Sequence, residues 1–427
     1  MALARGFVVG APRSGSGKTT LTLGLVSALR LSGHVVQPAK TGPDYIDAAI
    51  LSRVAGRPAV NLDAWAMGPD RLRMLADTGA DLLVAEGVMG LFDGAADGTG
   101  STGDLAARLG LPVILVVDAE KQSHSIAPLV AGFANWRPQV RVAGVIVNRV
   151  ATQRHETMLR TALEATGIPW LGAIPRRDTL VLPERHLGLV LPGEVEGFDA
   201  AVDAATKAVF DYVDLDQVVA LAAPVARGQG APRLAPLGQR IAIARDDAFA
   251  FVYDHFLADW RAAGAELSFF SPLADEGPGA DADAVFLPGG YPELHGARLA
   301  AAGAFHAGLR AARDRGALIY GECGGFMVLG RSLTDKAGTT HAMSGLLPIE
   351  TSIDRPRRQL GYRRLAHASP LPWPERLYGH EFHYSSARLM GAPTLFAAND
   401  ALGEPQPPMG ARIENVMGSY AHVIDAA

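Results

Sequence analysis

The sequence predicts an α/β protein of two domains. Three observations support this prediction. Short, continuously apolar segments alternate with segments of helical period, a glycine-rich loop joins the first apolar segment to the first helix, and the alternation begins again after a stretch rich in proline and glycine. Continuously apolar strands that alternate with helices are typical of a parallel sheet covered on both faces. The 427 residues are enough for two or three domains.

The first half of the chain predicts six strands and five crossover helices. The predicted strands are Gly6–Val9, Val35–Ala39, Leu82–Ala85, Pro112–Val117, Val142–Val147 and Trp170–Ile174. The predicted helices are Lys18–Leu31, Asp70–Thr78, Gly103–Leu109, Ser123–Phe133 and Arg154–Thr166.

A stretch without strand or helical period separates the two halves. Ala223–Arg240 is rich in proline and glycine, which is typical of an interdomain linker. We therefore predict a first domain over 1–222, a linker over 223–238 and a second domain over 239–427. The second domain is predicted to contain the strands Ile241–Ala244, Glu266–Phe270, Ala284–Leu287 and Ala317–Tyr320 and the helices Phe249–Ala263 and Arg298–Arg315.

The composition excludes several classes of protein. No apolar run reaches the roughly 18 residues of a membrane-spanning helix, and the N-terminal segment lacks the pattern of a secretory signal, which predicts a cytoplasmic protein without membrane contact. A net charge of −5 argues against general nucleic-acid binding, because that needs a basic surface. One cysteine cannot form an internal disulfide or a multi-thiolate metal site. These observations favour a small-molecule enzyme.

A glycine-rich loop between the first strand and the first helix indicates a nucleotide site. In such loops glycines let backbone N–H groups approach phosphate, a lysine reaches the β- and γ-phosphates, and a threonine hydroxyl binds Mg²⁺. Lys18 and Thr19 fit the last two roles. Pro12 stands where the ordinary motif has glycine, so the loop is a variant of it. The loop residues are Ser14, Gly15, Ser16, Gly17, Lys18, Thr19 and Thr20.

Acidic residues that follow predicted strands are candidate Mg²⁺ ligands. Glu86, after Leu82–Ala85, is the preferred ligand, and either Asp44 or Asp47 is a second candidate. Because parallel strands end at one edge of a sheet, these side chains are expected close to the phosphate loop. Asn148 is a candidate to contact a purine ring. A solvated acidic turn or a surface loop is the alternative at each of these positions.

The single cysteine follows a predicted strand of the second domain. Cys323 lies in Gly-Glu-Cys-Gly-Gly, where the flanking glycines permit the sharp turn of a nucleophile elbow. A following helix N-terminus would stabilise the thiolate. A buried, inert thiol is the alternative.

A cysteine nucleophile needs a base and an oxyanion hole. His422 is the preferred base, and His380 and His383 are rivals whose spacing also allows a metal site. Gly289 and Gly290, at the end of another predicted strand, are candidates to stabilise an oxyanion through their N–H groups. An ordinary turn is the alternative for the two glycines.

Seven motifs spread over nearly the whole chain resemble those of the cobyrinic acid and hydrogenobyrinic acid a,c-diamide synthases. This family shares the departure at Pro12. The resemblance implies a P-loop-type parallel-sheet domain, similar to dethiobiotin synthetase, followed by a class I glutamine amidotransferase α/β domain. The motifs are APRSGSGKTT at 11–20, KTGPDYID at 40–47, NLD at 61–63, EGVMGLFDG at 86–94, PGGYPE at 288–293, GECGG at 321–325 and GHEFH at 379–383.

The resemblance also implies an activity in cobalamin biosynthesis. Ammonia from L-glutamine, released by Cys323 and His422, would amidate the a and c acetate carboxylates of hydrogenobyrinic acid through an acyl phosphate formed with ATP. Mg²⁺ would be bound by Thr19, Asp47 and Glu86. We also consider that two copies of the chain associate as a homodimer. Further motif residues with a substrate-binding or other functional role are Lys40, Asp44, Tyr45 and Asp93.

Three points stay open at this stage. Many class I amidotransferases have a glutamate two positions after the histidine, where this chain has Ile424, so Asp425 takes its place or the site works as a Cys–His pair. Cobyrinic acid is the alternative corrinoid, although the short, Ala- and Arg-rich chain favours hydrogenobyrinic acid. The alternative from another class is a P-loop nucleotide-binding switch with an inactive amidotransferase-like domain, which the intact Cys323 and His422 argue against.

Overall fold

The computed structural model describes residues 4–180 and 197–427. The chain divides into two compact units, Met1–Ala231 and Pro232–Ala427, and each unit has its own main sheet and core. The boundary between the units lies within the segment predicted as a linker, 223–238. The first two residues of that segment form a short strand that pairs with the opening strand of the first unit.

The first unit alternates strands and helices. Its strands are β1 (Arg5–Gly10), β2 (Val36–Thr41), β3 (Val60–Leu62), β4 (Leu82–Glu86), β5 (Val113–Asp118), β6 (Val142–Val150), β7 (Trp170–Pro175) and β8 (Ala223–Pro224). Its helices are α1 (Lys18–Leu31), α2 (Tyr45–Ala55), α3 (Pro69–Ala76), α4 (Thr102–Leu109), α5 (Ile126–Asn135), α6 (Gln153–Glu164), α7 (Phe198–Tyr212) and α8 (Leu215–Leu221).

The sheet of the first unit is parallel, as predicted. Its order is β3-β2-β4-β1-β5-β6-β7, and β8 pairs antiparallel with β1. All six residues of β5 are buried, which explains why these strands are apolar on both faces. The carboxyl ends of β1, β2, β4 and β5 lie at one edge of the sheet, which is where ligands bind in open α/β sheets.

The predicted strands and helices of this unit are present, with ends shifted by a few residues. The helix Lys18–Leu31 has the predicted bounds. Strands β3 and β8 and helices α2, α7 and α8 were not predicted from the sequence. Helix α2 begins after Asp44 because the Asp44 carboxylate accepts a 2.8 Å hydrogen bond from the Asp47 N–H, and it ends at Gly56, whose φ of 67° suits a helix C-terminus.

The second unit contains more strands than the sequence predicts. Its helices are α9 (Asp254–Ala262), α10 (Gly296–Ala301), α11 (Gly303–Asp314) and α12 (Gly324–Leu329). Its strands are β9 (Arg240–Ala244), β10 (Glu266–Phe270), β11 (Ala284–Leu287), β12 (Leu318–Glu322), β13 (Ser332–Thr334), β14 (Thr340–Ala342), β15 (Ile349–Ser352), β16 (Gln359–Ala366), β17 (Arg376–His383), β18 (Ser386–Leu389), β19 (Phe396–Asn399), β20 (Pro405–Met409), β21 (Ala411–Ile413), β22 (Val416–Ser419) and β23 (His422–Ala426).

These strands form three sheets. The main sheet has the order β10-β9-β11-β12-β22-β21 and is parallel except for β21. Two smaller sheets, β14-β13-β15-β18 and β20-β19-β16-β17-β23, follow α12 in sequence. The alternation of strands and helices therefore describes only the first part of this unit, and β22 and β23 return to the neighbourhood of β12.

Two predicted helices of the second unit were wrong in their bounds. The helix predicted from Phe249 begins at Asp254, because the Phe251 N–H bonds the Gly289 carbonyl at 2.9 Å and forms an isolated antiparallel bridge there. The helix predicted over Arg298–Arg315 is two helices, divided at Ala302, where ψ is 79°.

Within the two described ranges, no helix is both long enough and apolar enough to cross a membrane.

Candidate active sites

The loop between β1 and α1 has the backbone of a phosphate-binding loop. Gly17, directly before α1, has a φ of 82°, and a side chain at this position would overlap the Asn148 amide. The Ser16 hydroxyl donates to the Arg13 carbonyl at 2.9 Å, which closes the turn. Ser14 and Gly15 lie on the loop, and Lys18, Thr19 and Thr20 form the first turn of α1. The helix therefore starts directly after the glycine turn, as anion binding requires.

Side chains from the ends of β5 and β6 hold this loop from one side. Asn148 donates to the Ser16 carbonyl at 3.0 Å, and its amide oxygen accepts from the Arg149 N–H at 2.9 Å. The Arg149 guanidinium donates to the Gly15 carbonyl at 2.9 Å and to Asp118 at 2.7 Å. Asn148 thus supports the loop, and its predicted contact with a purine stays a prediction. Asp118 was missed; its position at the end of a buried strand was the available signal.

A buried cluster of charged side chains lies beside the loop. The Thr19 hydroxyl donates a 2.6 Å hydrogen bond to Glu86 Oε1, and Lys40 Nζ lies 3.2 Å from the same oxygen. Lys40 also pairs with Asp47 and donates to the Gly87 carbonyl at 3.3 Å. The structure therefore brings together Thr19, Lys40, Asp47 and Glu86, all of which the sequence analysis singled out.

The charges in this cluster depend on one another. Burial alone would lower the pKa of Lys40, but Asp47 and Glu86 raise it above the ordinary lysine value, so this ammonium stays charged. Burial lowers the pKa of Lys18, and nearby carboxylates oppose that effect. Burial and the neighbouring Asp47 raise the pKa of Asp44 to about 6.

The cluster fits a divalent cation. Within the described part of the chain, Glu86 Oε2 and Asp47 Oδ1 are buried and have no hydrogen-bond partner, and the Thr19 hydroxyl lies next to Glu86. The same ranges contain no group of three His, Cys, Asp or Glu side chains suited to a metal. Two carboxylates and one hydroxyl suit Mg²⁺, which usually keeps several waters and binds substrate phosphates.

The remaining predicted residues of this unit surround the cluster. Asp44 caps α2, which begins at Tyr45. Lys18 Nζ donates to the Met89 carbonyl at 3.2 Å, so the lysine reaches towards the turn after β4. Asp93 accepts a 2.9 Å hydrogen bond from the Gly90 N–H and fixes that turn. The turn and the phosphate loop are thereby joined through Lys18.

In the second unit, Cys323 lies at a sharp turn between β12 and α12. Its φ of 47° and ψ of −107° are unusual for a residue with a side chain and cost of the order of 1–3 kcal/mol. The Cys323 N–H donates to the Ser419 carbonyl at 2.8 Å, and its own carbonyl accepts from the Met327 N–H at 3.0 Å. This is the geometry of the predicted nucleophile elbow.

His422 and the turn after β11 lie at this elbow. A Cβ atom on Gly289 would lie 3.2 Å from both Cys323 Cβ and His422 Nε2, so the three residues meet at one point and leave no room for a side chain at 289. Gly290 packs against Gly324, the first residue of α12. A Cβ atom added to Gly324 would lie 3.0 Å from the backbone nitrogen of Gly290. The predicted oxyanion residues are therefore adjacent to the thiol.

The electrostatic surroundings of His422 favour its charged form. Burial alone would lower the pKa of His422, but the charge of Cys323 and hydrogen bonding to it, together with Glu322, raise that pKa to about 10. Glu322 Oε2 lies 3.6 Å from His422 Nδ1. Glu322 was not predicted as a site residue, although it directly precedes Cys323.

The two rival histidines have other partners. His380 lies across from His422 on β17, and burial, with His422 and Arg363 nearby, lowers its pKa to about 3. His383 bonds Glu381 at 2.8 Å and stacks on Tyr420 with ring centroids 3.8 Å apart. The metal site that their spacing allowed is not formed within residues 4–180 and 197–427.

Two family models match the chain in the order of its units. Residues 7–190 match the CobQ/CobB/MinD/ParA nucleotide binding domain. Residues 240–427 match the CobB/CobQ-like glutamine amidotransferase domain. These matches confirm the predicted fold class, a nucleotide-binding α/β domain followed by a glutamine amidotransferase domain.

The full chain is similar to proteins named hydrogenobyrinate a,c-diamide synthase. It is 53% identical to the protein of Brucella anthropi over 429 positions, which cover 99% of this chain and 98% of the relative. It is 50% identical to the protein of Rhizobium meliloti, with coverage of 98% and 99%, and 49% identical to that of Rhodobacter capsulatus, with coverage of 98% of each chain. The resemblance drawn from the seven motifs is confirmed, and the chain belongs to the family of the hydrogenobyrinate a,c-diamide synthases.

Proposed function

We propose that this protein is a glutamine-hydrolysing, ATP-dependent ligase that amidates the a and c acetate carboxylates of hydrogenobyrinic acid in cobalamin biosynthesis. The observation that carries the proposal is the identity of 49–53% over the full length of the relatives, combined with a phosphate loop in one unit and a cysteine elbow in the other. Cys323, His422 and Gly289 lie close together, and a P-loop switch with an inactive second domain would not require this arrangement. The arrangement therefore supports the ligase over the switch.

The second unit would release ammonia from glutamine. The Cys323 thiolate attacks the side-chain amide carbon of glutamine, and backbone N–H groups of Gly289 and Gly290 stabilise the resulting oxyanion. His422 gives a proton to the leaving nitrogen, so ammonia departs and a thioester remains. Water, deprotonated by His422, then hydrolyses the thioester to glutamate and regenerates the thiolate.

The first unit would activate the corrinoid carboxylate. The carboxylate oxygen attacks the γ-phosphate of ATP and forms an acyl phosphate and ADP, and ammonia then displaces phosphate from the acyl carbon. Lys18, at the start of α1, neutralises charge on the phosphates, and the buried ammonium of Lys40 does the same at the edge of the site. Thr19, Asp47 and Glu86 would hold Mg²⁺, which would supply positive charge to offset the charge that develops on the phosphates.

The direct test follows product formation with two corrinoids. Purified protein is incubated with glutamine, ATP and either hydrogenobyrinic acid or cobyrinic acid, and mass spectrometry with ADP and glutamate assays follows the reaction. We expect two amides, two ADP and two glutamate per corrinoid, and a higher kcat/KM for hydrogenobyrinic acid. A higher kcat/KM for cobyrinic acid would assign the alternative substrate, and the absence of an amide with either corrinoid would overturn the proposal. Mg²⁺, a homodimer and a cytoplasmic location stay predictions.

A further inference from the structure

We infer that Glu322 is the positioning residue that completes the Cys323–His422 pair. This inference rests on the proposed glutaminase function. Position 424, where many class I amidotransferases have their third residue, is isoleucine in this chain. The structure brings a different carboxylate to the histidine, from the strand that carries the nucleophile.

The Glu322 carboxylate is buried and fixed. Its side chain is 2% exposed, and that of His422 is 4% exposed. Oε1 accepts two hydrogen bonds of 3.1 Å, one from the Tyr320 hydroxyl and one from the Val423 N–H. The second oxygen, Oε2, lies 3.6 Å from His422 Nδ1. Because Val423 directly follows the histidine, the carboxylate is tied to the same strand as the imidazole that it faces.

This arrangement places different partners at the two ring nitrogens of His422. The carboxylate faces Nδ1, while Nε2 lies on the side of Cys323 and Gly289. The partner of one imidazole nitrogen decides which nitrogen carries the proton in the neutral ring. A carboxylate at Nδ1 keeps a proton there, so Nε2 is free to exchange a proton with the thiol or with the leaving nitrogen. Catalytic contacts that are long without substrate often shorten in the complex, which a 3.6 Å separation permits.

Among the residues that the structure describes, the other titratable groups near the pair do not fill this role. His380 faces His422 from β17, and its low pKa keeps it neutral. Tyr420 lies near Cys323, Glu293 and Glu381. Asp425, the carboxylate considered from the sequence, accepts a 2.8 Å hydrogen bond from the Ala426 N–H and lies opposite Tyr378 on β17. Glu322 is the carboxylate that the structure pairs with Nδ1 of the histidine.

The test compares wild type with Glu322→Gln. Glutamine retains an acceptor for Tyr320 and Val423 but replaces the charge at Nδ1 with an NH₂ group, which favours the wrong tautomer. Cys323 is the one cysteine of the chain, so iodoacetamide alkylation followed by mass spectrometry from about pH 5 to about pH 10 reports on that thiol alone. We expect the alkylation profile of Glu322→Gln to move up by about one pH unit or more. We also expect kcat for glutamine hydrolysis to fall at least about tenfold, with KM changed less than about twofold.

Two further variants make the result decisive. Glu322→Asp retains the charge but shortens the side chain, which draws the carboxylate away from Nδ1, and should move the profile in the same direction by less; it carries the test if Glu322→Gln does not fold. Asp425→Asn tests the alternative carboxylate. The inference is overturned if the profile of the folded Glu322→Gln protein, or of Glu322→Asp in its place, superposes on that of wild type, or if Asp425→Asn alone shifts it. Alkylation needs no glutamine, so wild type that hydrolyses none would refute the proposed function separately.

Discussion

The Thr19 hydroxyl donates a 2.6 Å hydrogen bond to Glu86 Oε1, across the sheet edge between the start of α1 and the end of β4. Lys40 Nζ, from β2, contacts the same oxygen at 3.2 Å. Side chains from α1 and β2 thus meet at one carboxylate at the end of β4. Its other oxygen is buried and has no hydrogen-bond partner within the ranges that the structure covers. This unused oxygen is the position where we expect a cation to act.

Replacing Glu86 by glutamine should raise the Mg²⁺ concentration for half-maximal amidation by roughly tenfold or more, because the change removes charge and keeps the shape. The measurement is ADP release with hydrogenobyrinic acid and ammonium chloride at varied MgCl₂. The matched control is Glu120→Gln, which alters a carboxylate just after β5 that pairs with Arg176. An unchanged Mg²⁺ dependence in Glu86→Gln would refute this assignment.

Replacing Lys18 by alanine should reduce amidation by roughly a hundredfold or more with either glutamine or ammonium as nitrogen source, because the charge on the ATP phosphates is no longer offset. Glutamine hydrolysis should persist, since Cys323 and His422 belong to the other unit. Lys207→Ala, on the exposed side of α7, is the control. Normal amidation by Lys18→Ala would contradict the nucleotide site.

Replacing Cys323 by alanine should abolish glutamine-dependent amidation and leave ammonium-dependent amidation within about twofold of wild type, because only the first reaction needs a nucleophile for the glutamine amide. Both rates are measured by mass spectrometry of the corrinoid product. Loss of both activities in a folded Cys323→Ala protein would show that the two units do not divide the reaction in this way.

The carboxyl of Glu293, in the motif after β11, should make stability depend on pH. Burial raises the pKa of Glu293 from 4.5 to about 7. A carboxyl whose pKa is higher in the folded protein does not change the free energy of unfolding at pH values below its unfolded pKa. It lowers that free energy increasingly from about pH 4.5, and the full decrease is reached above about pH 7. Glu293→Gln should therefore raise Tm by a few degrees at pH 8, which corresponds to about 1–2 kcal/mol in the free energy of unfolding. It should leave Tm unchanged near pH 4.5. Glu266→Gln, on an exposed strand end, is the control. A Tm gain that is equal at both pH values would contradict the explanation by burial.

The sequence predicted best those features that are local along the chain. The bounds of α1, β10 and β11 were correct because a glycine turn or a short apolar run marks each of them. Cys323 directly follows β12, and Lys40 and Glu86 lie near the carboxyl ends of β2 and β4, so strand prediction also located these candidate site residues. The residues of the two small sheets, by contrast, were not recognised as strands, since strands such as Thr340–Ala342 are short and mostly exposed.

Residues whose partners are distant in sequence were not predictable in the same way. Glu322 faces His422 because β12 and β22 pair in parallel with Glu322 opposite Ser419, which places the strand after Ser419 beside the elbow. Arg149 and Asp118 meet because β5 and β6 are neighbours, and together they hold the phosphate loop. Neither pairing follows from composition or periodicity; each depends on sheet order and register.

The bond between the Val423 N–H and the Glu322 carboxylate joins positions 101 residues apart. Contacts of this length close late in folding, because the chain must first lose the entropy of a large loop. The reactivity of Cys323 should therefore develop with the docking of β22 and β23 and not with the collapse of the first strands of the unit. Pulsed alkylation during refolding would measure when this docking occurs. The thiol that we propose for glutamine hydrolysis would therefore also report on the assembly of its own domain.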